Sequence, residues 1–436
     1  MRTKKPLTNQ TQKTLASLSS LARTGFFHIF GSNTINQIVQ FAHGILIVRV
    51  ISKTEYGIYG YASNVYYFFL LLSGFGTVSA IIQLASEYSK DIAKTKSLFQ
   101  FGYRFGLGFN VFLSAAILLA SLLLPLPIEG SGILLGMMFL LPVFHIYKDL
   151  QVIWLRVHLK NKEFGTVNTI NAVLVGAMTI LGAWLFQARG IIIGHYLVAV
   201  FMILLLRNYY QVPFFRKADP LSRDDRKDLF QIAGISTLNN ALSQMLSLLG
   251  TFMLGLIIAD ADSIAGYKVA SVIPMALNFI PGSLMLYAYP YFARNKDNRE
   301  WVISKYRLIM IYTGLVNLLI ALFGILLAEP IVRIIFGRQY LDAVIPFRIL
   351  MASYYISGTF RTIAGNLLVT QRKLKVNLVN GIIGGLSSIV LNALLIPVYG
   401  SVGAAWSYLL TMIISGIHLS VYFLNVIRRI GRNDHK

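Results

Sequence analysis

The chain has 436 residues, of which 56% are hydrophobic and 13% are charged, and its formal net charge is +22. A mean hydropathy of +0.64 excludes a soluble single-domain protein and indicates a membrane protein. The chain contains no cysteine, which excludes disulfides, thiol nucleophiles and thiolate metal sites.

Twelve apolar segments are long enough to cross a hydrocarbon core, which takes about 20 helical residues. Strands of a membrane barrel would be shorter and would alternate in polarity, so these segments favour helices. The sequence therefore predicts an all-α polytopic membrane protein with about twelve transmembrane helices. The predicted spans are approximately 28–51, 58–85, 100–124, 132–155, 166–187, 190–206, 230–259, 267–292, 305–327, 344–370, 376–396 and 401–424.

The two halves of the chain resemble each other at a separation of about 208 residues. Tyr59-Gly-Tyr-Ala-Ser63 recurs as Tyr267-Lys-Val-Ala-Ser271, and Val167-Asn168-x-x-Asn171 recurs as Val376-Asn377-x-x-Asn380 at a separation of 209. Each half contains six spans, so both halves enter the membrane the same way round. This pattern predicts two parallel six-helix repeats, with a substrate site between them as in transporters.

The basic residues predict the orientation of the chain. With the N-terminus in the cytoplasm, 30 of the 39 Lys and Arg residues fall on the cytoplasmic side and 7 on the outer side, while Lys148 and Arg361 lie within spans. This distribution explains the net charge without a nucleic-acid partner. The predicted parts are a cytoplasmic tail at 1–27, a first lobe at 28–206, a cytoplasmic linker at 207–229, a second lobe at 230–427 and a cytoplasmic tail at 428–436.

An enzyme is not expected. The sequence has no GxSxG, HExxH or P-loop motif, and every loop predicted on the outer side is too short to hold a catalytic domain. No cofactor or metal is predicted.

Amide side chains on two predicted spans are the first candidates for binding. Asn33, Asn36, Gln37, Gln40 and His43 share one face of the first span, since their spacings match the helical period. The seventh span carries a similar set, which consists of Asn239, Asn240 and Gln244 among serines. Such faces fit either a polar cavity wall that binds sugar hydroxyls or hydrogen bonds between helices.

Charged side chains within spans are the second candidates, because an ionised group at mid-bilayer is costly. Lys148 and Arg361 lie at similar depth and, with His43 and His145, would attract an anion such as a diphosphate. Asp149 is the one acidic residue well inside a predicted span and is the candidate for ion coupling. The alternative is that these cations pair with Asp149 or with carbonyls at helix ends. Three further cations, Arg49, Lys268 and Arg348, are predicted at the outer mouth.

Several stretches resemble a known family. Ile51 to Ser63, followed by Gly74-Phe-Gly76, resembles the first two spans of bacterial polysaccharide flippases of the O-antigen (Wzx-type) family. Ile335-Phe-Gly-Arg-Gln-Tyr340 is similar to the loop after the ninth helix of that family, and Gly400-x-x-Gly-Ala404 to the start of the twelfth. The resemblance covers essentially the whole chain. It implies the multidrug/oligosaccharidyl-lipid/polysaccharide exporter superfamily, with two lobes in a V shape and alternating access.

The resemblance also implies a function. The substrate would be an undecaprenyl-diphosphate-linked oligosaccharide, moved from the cytoplasmic to the outer leaflet of the bacterial cytoplasmic membrane for a surface polymer such as O-antigen, capsule or exopolysaccharide. Relatives carry cations in the central cavity, and Lys148 and Arg361 match them by type and depth. A multidrug cation antiporter would need membrane carboxylates, and a single Asp149 beside Lys148 argues against it. A scaffold that assembles with other membrane proteins of polysaccharide synthesis also fits the sequence.

Overall fold

The computed structural model describes residues 26–88, 91–210 and 219–429, and these residues form helices and no strand. Most of both predicted tails and part of the predicted linker lie outside the described residues. The helices in chain order are α1 (Phe26–Val50), α2 (Lys53–Leu70), α3 (Thr77–Glu87), α4 (Ile92–Leu123), α5 (Ser131–Met137), α6 (Leu141–Val157), α7 (Asn161–Asn208), α8 (Arg223–Ile258), α9 (Ala261–Leu277), α10 (Phe279–Arg294), α11 (Arg299–Leu326), α12 (Ala328–Ile335), α13 (Val344–Ile356), α14 (Thr362–Thr370) and α15 (Leu374–Arg429).

Helix α7 is a hairpin of two antiparallel arms. Its backbone leaves the helical region at Phe186 and Gln187, where the φ of Gln187 is 54°. The two arms touch through glycines, since a Cβ on Gly182 would lie 2.1 Å from the carbonyl oxygen of Gly190. The chain therefore reverses just before the connection predicted at 188–190, and the long helix supplies the fifth and sixth spans.

Helix α15 has the same architecture. Gly400 interrupts it with a φ of 55°, a left-handed conformation that glycine adopts readily. A Cβ on Gly403 would lie 2.2 Å from the carbonyl oxygen of Leu395, so these arms also pack backbone against backbone. This hairpin supplies the eleventh and twelfth spans.

The helices confirm the predicted fold class. Seven helical segments of the described part are long and apolar enough to cross a membrane, and the bent pair α5–α6 makes an eighth. Two of the seven are the hairpins α7 and α15, and helices α1 and α13–α14 lie at the positions predicted for the first and tenth spans. The chain is a polytopic all-α membrane protein, with spans in the predicted order.

The second and eighth spans are both interrupted. Between α2 and α3 the chain turns through Ser73–Gly76, and Gly74 has a φ of 58°. The side chain of Asn110 accepts a bond from the Gly74 N–H at 2.6 Å and donates to the Pro142 carbonyl at 2.7 Å. Between α9 and α10, the Asn278 amide donates to the Pro274 carbonyl at 3.2 Å. Irregular backbone in a membrane requires such partners.

We refer to α1–α7 as the first lobe and to α8–α15 as the second lobe. Helix α8 packs along the second span of the first lobe: Gly255 lies against the Tyr61 ring, the Asn64 amide donates to the Leu248 carbonyl at 3.2 Å, and Gly76 lies against the Ala233 carbonyl. These contacts extend over most of the length of α8. The helix therefore lies between the lobes.

The start of α8 is also fixed to the first lobe. Lys94 at the start of α4 forms an ion pair with Asp225 at 2.7 Å, and its Nζ lies 3.6 Å from the Tyr88 ring centroid. The hydrogen bond from Lys94 lowers the pKa of the Asp225 carboxyl, and the same bond raises the pKa of Lys94. Helix α8 begins at Arg223, within the interval assigned to the linker, with Ser222 capping it by accepting from the Asp225 N–H at 3.1 Å.

At the opposite end of the bundle, α2 and α9 close the gap between the lobes. A Cβ on Gly57 would lie 1.9 Å from the Ala261 carbonyl oxygen, so the two helices are in backbone contact. Four polar links accompany this contact, and we call the set the seam. They are Thr54 to Asp262 at 2.8 Å, Lys53 to Asp342 at 2.9 Å, Arg49 Nε to the Ile335 carbonyl at 2.8 Å and Lys268 to the Gly60 carbonyl at 3.1 Å.

Candidate substrate cavities

The second lobe contains a polar cavity of about 440 Å³, which we call the Arg361 cavity. It lies between α8, α14 with the turn before it, and the hairpin α15. Asparagines and Arg361 supply most of its polar groups, and none of the described residues that line it is a carboxylate. The lining residues are Asn239, Asn240, Leu242, Ser243, Arg361, Thr362, Gly365, Asn366, Val369, Leu374, Asn377, Asn380, Gly381 and Leu419.

A local distortion of the tenth span determines the position of Arg361 in the cavity wall. Residues Ser357–Arg361 form a single π-helical turn between α13 and α14. Asn317 of α11 holds this turn, because its amide donates to Thr359 Oγ1 at 3.2 Å and its carbonyl oxygen accepts from the Tyr354 hydroxyl at 2.7 Å. Turns of this kind occur frequently at functional sites, since they change the direction of the side chains that follow.

The guanidinium of Arg361 is only partly satisfied. Its Nε donates to Ser415 Oγ at 3.1 Å, and Ser415 also accepts from the Asn380 amide at 2.7 Å. The Asn380 carbonyl oxygen lies 3.1 Å from Nδ1 of His418. Among the described residues, the two terminal nitrogens of Arg361 have no hydrogen-bond partner and no carboxylate lies within 4 Å of them. Four N–H donors of a half-buried cation therefore remain available.

The first lobe contains a second polar cavity of about 230 Å³ between α1 and the first arm of α7, which we call the Asn36 cavity. The Oδ1 atom of Asn36 is buried and has no hydrogen-bond partner within the described ranges. His43 Nε2 lies 2.6 Å from Thr179 Oγ1. Neutral amides and this histidine supply the polar groups. The lining residues are Asn36, Val39, Gln40, His43, Asn168, Asn171, Ala172, Val175 and Gly176.

The residues predicted to bind sugar are distributed between the two cavities. It brings Asn239 and Asn240 together with Arg361, and Asn36 and Gln40 together with His43. Gln37 and Gln244 are exposed and line neither cavity. Asn33 lies on α1, but its side chain is outside the described residues.

Lys148, Asp149 and His145 line neither cavity. The Lys148 ammonium is 3.6 Å from Asp149 Oδ1, and the side chains are 18% and 50% exposed, respectively. The Tyr66 hydroxyl lies 3.4 Å from Nδ1 of His145. Lys148 thus has the acidic neighbour named as the alternative.

Several lining residues were not predicted as ligands. Asn168 and Asn171 line one cavity, and their repeat partners Asn377 and Asn380 line the other. The recurring Val-Asn-x-x-Asn motif was the available signal, although helix caps or interhelical bonds explained it equally well from sequence alone. Ser415 carried no signal, because a serine within a span is common.

Arg49 and Lys268, which were predicted with Arg348 at the outer mouth of the cavity, contact the other lobe in this conformation. Arg49 donates to the carbonyls of Ile334 and Ile335, and Lys268 donates to the Gly60 carbonyl. The carbonyls that Arg49 meets lie at the end of α12, where a long basic side chain can reach them. Gly60 lies inside α2, where the absence of a Cβ leaves space for the Lys268 side chain.

Several solved transporters are similar to this chain in fold. "Lipid II flippase MurJ, inward closed conformation" has a TM-score of 0.73 at 14% identity, covering 93% of this chain and 90% of that one. An inward-facing multidrug resistance MATE family transporter of the MOP superfamily has a TM-score of 0.68 at 14% identity, covering 91% and 96%. A MOP superfamily transporter from Pyrococcus furiosus has a TM-score of 0.61 at 13% identity, covering 94% and 96%. At these identities the likeness shows the fold.

Curated proteins gave no significant match to this chain. A family model described as "Polysaccharide biosynthesis protein" matches residues 46–345, which is more than half of the chain. The chain therefore belongs to this family of polysaccharide biosynthesis proteins.

Proposed function

We propose that this protein is a flippase that moves an undecaprenyl-diphosphate-linked oligosaccharide from the cytoplasmic to the outer leaflet by alternating access. Family membership and the transporter fold support the general class. The observation that carries the substrate assignment is the Arg361 cavity, which contains a cation without an acidic partner.

An uncompensated guanidinium inside a membrane protein favours an anionic ligand. Removing a charge from water costs several kcal/mol unless a counter-charge or hydrogen bonds replace the lost solvation. Ser415 satisfies one donor of Arg361, and the remaining fork matches the spacing of phosphate oxygens. A diphosphate bound there would complete the hydrogen bonding of the guanidinium.

The Asn36 cavity suits the sugar. Sugar hydroxyls both donate and accept, and amides offer both kinds of group. Asn36 presents a buried acceptor without a partner, and Asn168, Asn171 and Gln40 face the same space. These residues would replace the water that an oligosaccharide loses when it leaves solution. The polyprenyl tail needs no such site, since it remains in the lipid.

The direction of transport rests on the orientation of the chain. The basic residues place the termini in the cytoplasm, so the seam would lie at the outer side. The structure would then be the state closed to the outside. Opening of the seam, with closure at the other end, would release the substrate to the outer leaflet in the bacterial cytoplasmic membrane.

A cation antiporter is less well supported. Within the described part of the chain, no carboxylate lines the Arg361 cavity or the Asn36 cavity, and Asp149 is half exposed beside Lys148. An organic cation would find no counter-charge in either cavity and would be repelled by Arg361.

The assignment is tested by binding to purified protein. A fluorescent undecaprenyl-diphosphate oligosaccharide should bind, and a neutral glycolipid with the same sugar should not. Arg361→Gln should weaken binding of the diphosphate lipid, whereas Arg338→Gln, at an exposed position, should not change it. Equal binding of the charged and neutral lipids would refute the proposal.

A further inference from the structure

Lys268 is the seam residue that lies well inside helix α9. It lies seven residues after the start of α9, which places it roughly 10 Å inside the helix end. The side chains of Lys53 and Asp342 at the rim of the seam are 18% and 44% exposed, respectively, and Lys268 is partly buried between the lobes.

The partners of Lys268 are neutral and belong to the other lobe. Its ammonium donates to the Gly60 carbonyl at 3.1 Å and lies 3.4 Å from Ser63 Oγ. No carboxylate lies within 4 Å of it in the described part of the chain. The stem of Lys268 fills the space beside Gly60, where an added Cβ would lie 2.6 Å from its Cδ. All hydrogen-bond acceptors of this ammonium therefore depend on the closed seam.

Opening of the seam would remove both partners at once. Separation of α2 from α9 carries Gly60 and Ser63 away, so the ammonium would lose both acceptors at the start of opening, before solvent enters between the helices. An unpaired charge at that stage is strongly unfavourable and would slow opening. An anion that reached the space between the lobes would remove this obstacle by accepting the hydrogen bonds that Gly60 and Ser63 give up.

We propose that Lys268 is an anion-responsive gate residue: it keeps the seam closed through Gly60 and transfers its hydrogen bonds to the lipid-linked diphosphate when the seam opens. The identity of the anion rests on the proposed function, whereas the partner exchange rests on the contacts of Lys268 alone. The device would prevent the empty protein from opening to the outside.

The gate can be observed with a single cysteine, because the chain has none of its own. Ala265 is fully buried and lies on the same face of α9 as Ala261 and Lys268, which meet α2. In Ala265→Cys, a membrane-impermeant maleimide should react only when the seam opens. The protein is reconstituted in zwitterionic vesicles, with and without undecaprenyl diphosphate, and the labelling rate is measured from the seam side.

Three side chains at position 268 distinguish a gate that responds to an anion from a contact that only holds the seam closed. With Lys268 intact, undecaprenyl diphosphate should raise the labelling rate by about tenfold, the effect of one hydrogen bond to a charged group. In Lys268→Gln, the side chain keeps an N–H donor to the Gly60 carbonyl but loses the positive charge. Labelling of this variant should therefore stay slow, and undecaprenyl diphosphate should not accelerate it. In Lys268→Met, labelling should be fast with or without the lipid. Arg338→Gln is the control, and it should respond like the parent.

Two results would overturn the gate. One is a parent labelling rate that undecaprenyl diphosphate leaves unchanged; the other is a response of Lys268→Gln equal to that of the parent. An equal acceleration by phosphatidylglycerol would overturn the assignment to the diphosphate of the substrate. Labelling requires no transport, so a protein that responds to the lipid but moves no oligosaccharide would retain the gate and lose the proposed function.

Discussion

The Lys268 ammonium donates to the Gly60 carbonyl, and these two residues are 208 positions apart in the chain. The same separation joins Thr54 to Asp262, which are linked at 2.8 Å. Because 208 residues is also the length of the sequence repeat, each of these residues contacts its own repeat partner. In a two-fold arrangement only residues on the axis can do so. The axis that relates the lobes therefore passes through the seam.

The position of this axis fits the proposed gate. Equivalent helices α2 and α9 meet at the axis, so the proposed separation of the lobes at this end would break their contacts. Gly60 has been replaced by Lys268 in the second repeat, so the symmetric position contains one cation and a space for it. The asymmetry creates a hydrogen bond that two identical residues would not form.

Arg361→Gln is expected to weaken binding of the diphosphate lipid by about 10- to 150-fold, since a charged hydrogen-bond donor contributes about 1.5–3 kcal/mol. Arg361→Lys should recover part of the loss, because a lysine keeps the charge but lacks the planar fork. The measurement is a fluorescence titration, together with the melting temperature of each variant. A fall in melting temperature with unchanged affinity would mean that Arg361 has a structural role.

Asn36→Ala is expected to weaken binding of the oligosaccharide-bearing lipid by about 2- to 10-fold, the effect of one neutral hydrogen bond. Binding of undecaprenyl diphosphate without sugar should not change, because the Asn36 cavity and the Arg361 cavity lie in different lobes. Isothermal titration calorimetry with the two lipids checks whether the loss of affinity is confined to the lipid that carries the sugar. An equal loss for both lipids would assign Asn36 to the diphosphate or to the fold.

The sequence predicted the fold more completely than it predicted the candidate site. Apolar length predicted spans at positions where the helices lie, since this signal depends on the lipid rather than on tertiary contacts. The sugar-binding candidates divided between two cavities because helical periodicity gives a shared face, but not the neighbour that the face meets. Gln37 and Gln244 show this limit, since they share the pattern of the lining residues and are exposed.

The cations were harder to assign than the helices. Depth within a span made Lys148 and Arg361 look equivalent, whereas the structure gives Lys148 an acidic neighbour and gives Arg361 a serine. The sequence did not reveal the π-helical turn that positions Arg361, because that turn is held by Asn317 from a distant helix, which bonds to Thr359 within the turn and to Tyr354 just before it. The sequence likewise gave no sign that Lys268 donates to the Gly60 carbonyl of the other lobe.

The hairpin glycines give a stability prediction. Gly182→Ala should lower the melting temperature by several degrees, because its Cβ would lie 2.1 Å from a backbone oxygen and overpacking of this kind costs about 1–3 kcal/mol. Gly385→Ala is the matched control. No atom lies within 4 Å of its added Cβ, so the change should be neutral or stabilising by up to about 1 kcal/mol. Equal melting temperatures for both variants would contradict the close packing of the α7 arms.

A disulfide across the seam should stop transport. In the cysteine-free chain, Thr54→Cys with Asp262→Cys joins positions whose side chains are in contact at 2.8 Å. Oxidation should abolish export of the lipid-linked oligosaccharide in cells, and a reductant should restore it, because the seam must open once per cycle. The two single-cysteine variants serve as controls. Full export by the cross-linked protein would exclude the seam as a moving gate.

The central claim is translocation, and reconstitution tests it most directly. Proteoliposomes with a fluorescent undecaprenyl-diphosphate oligosaccharide are assayed for its appearance in the opposite leaflet, with and without a proton gradient. Protein-dependent translocation that Arg361→Gln reduces is the predicted result. The absence of movement for a series of such lipids, together with efflux of organic cations from the same vesicles, would contradict the flippase and assign the protein to cation transport.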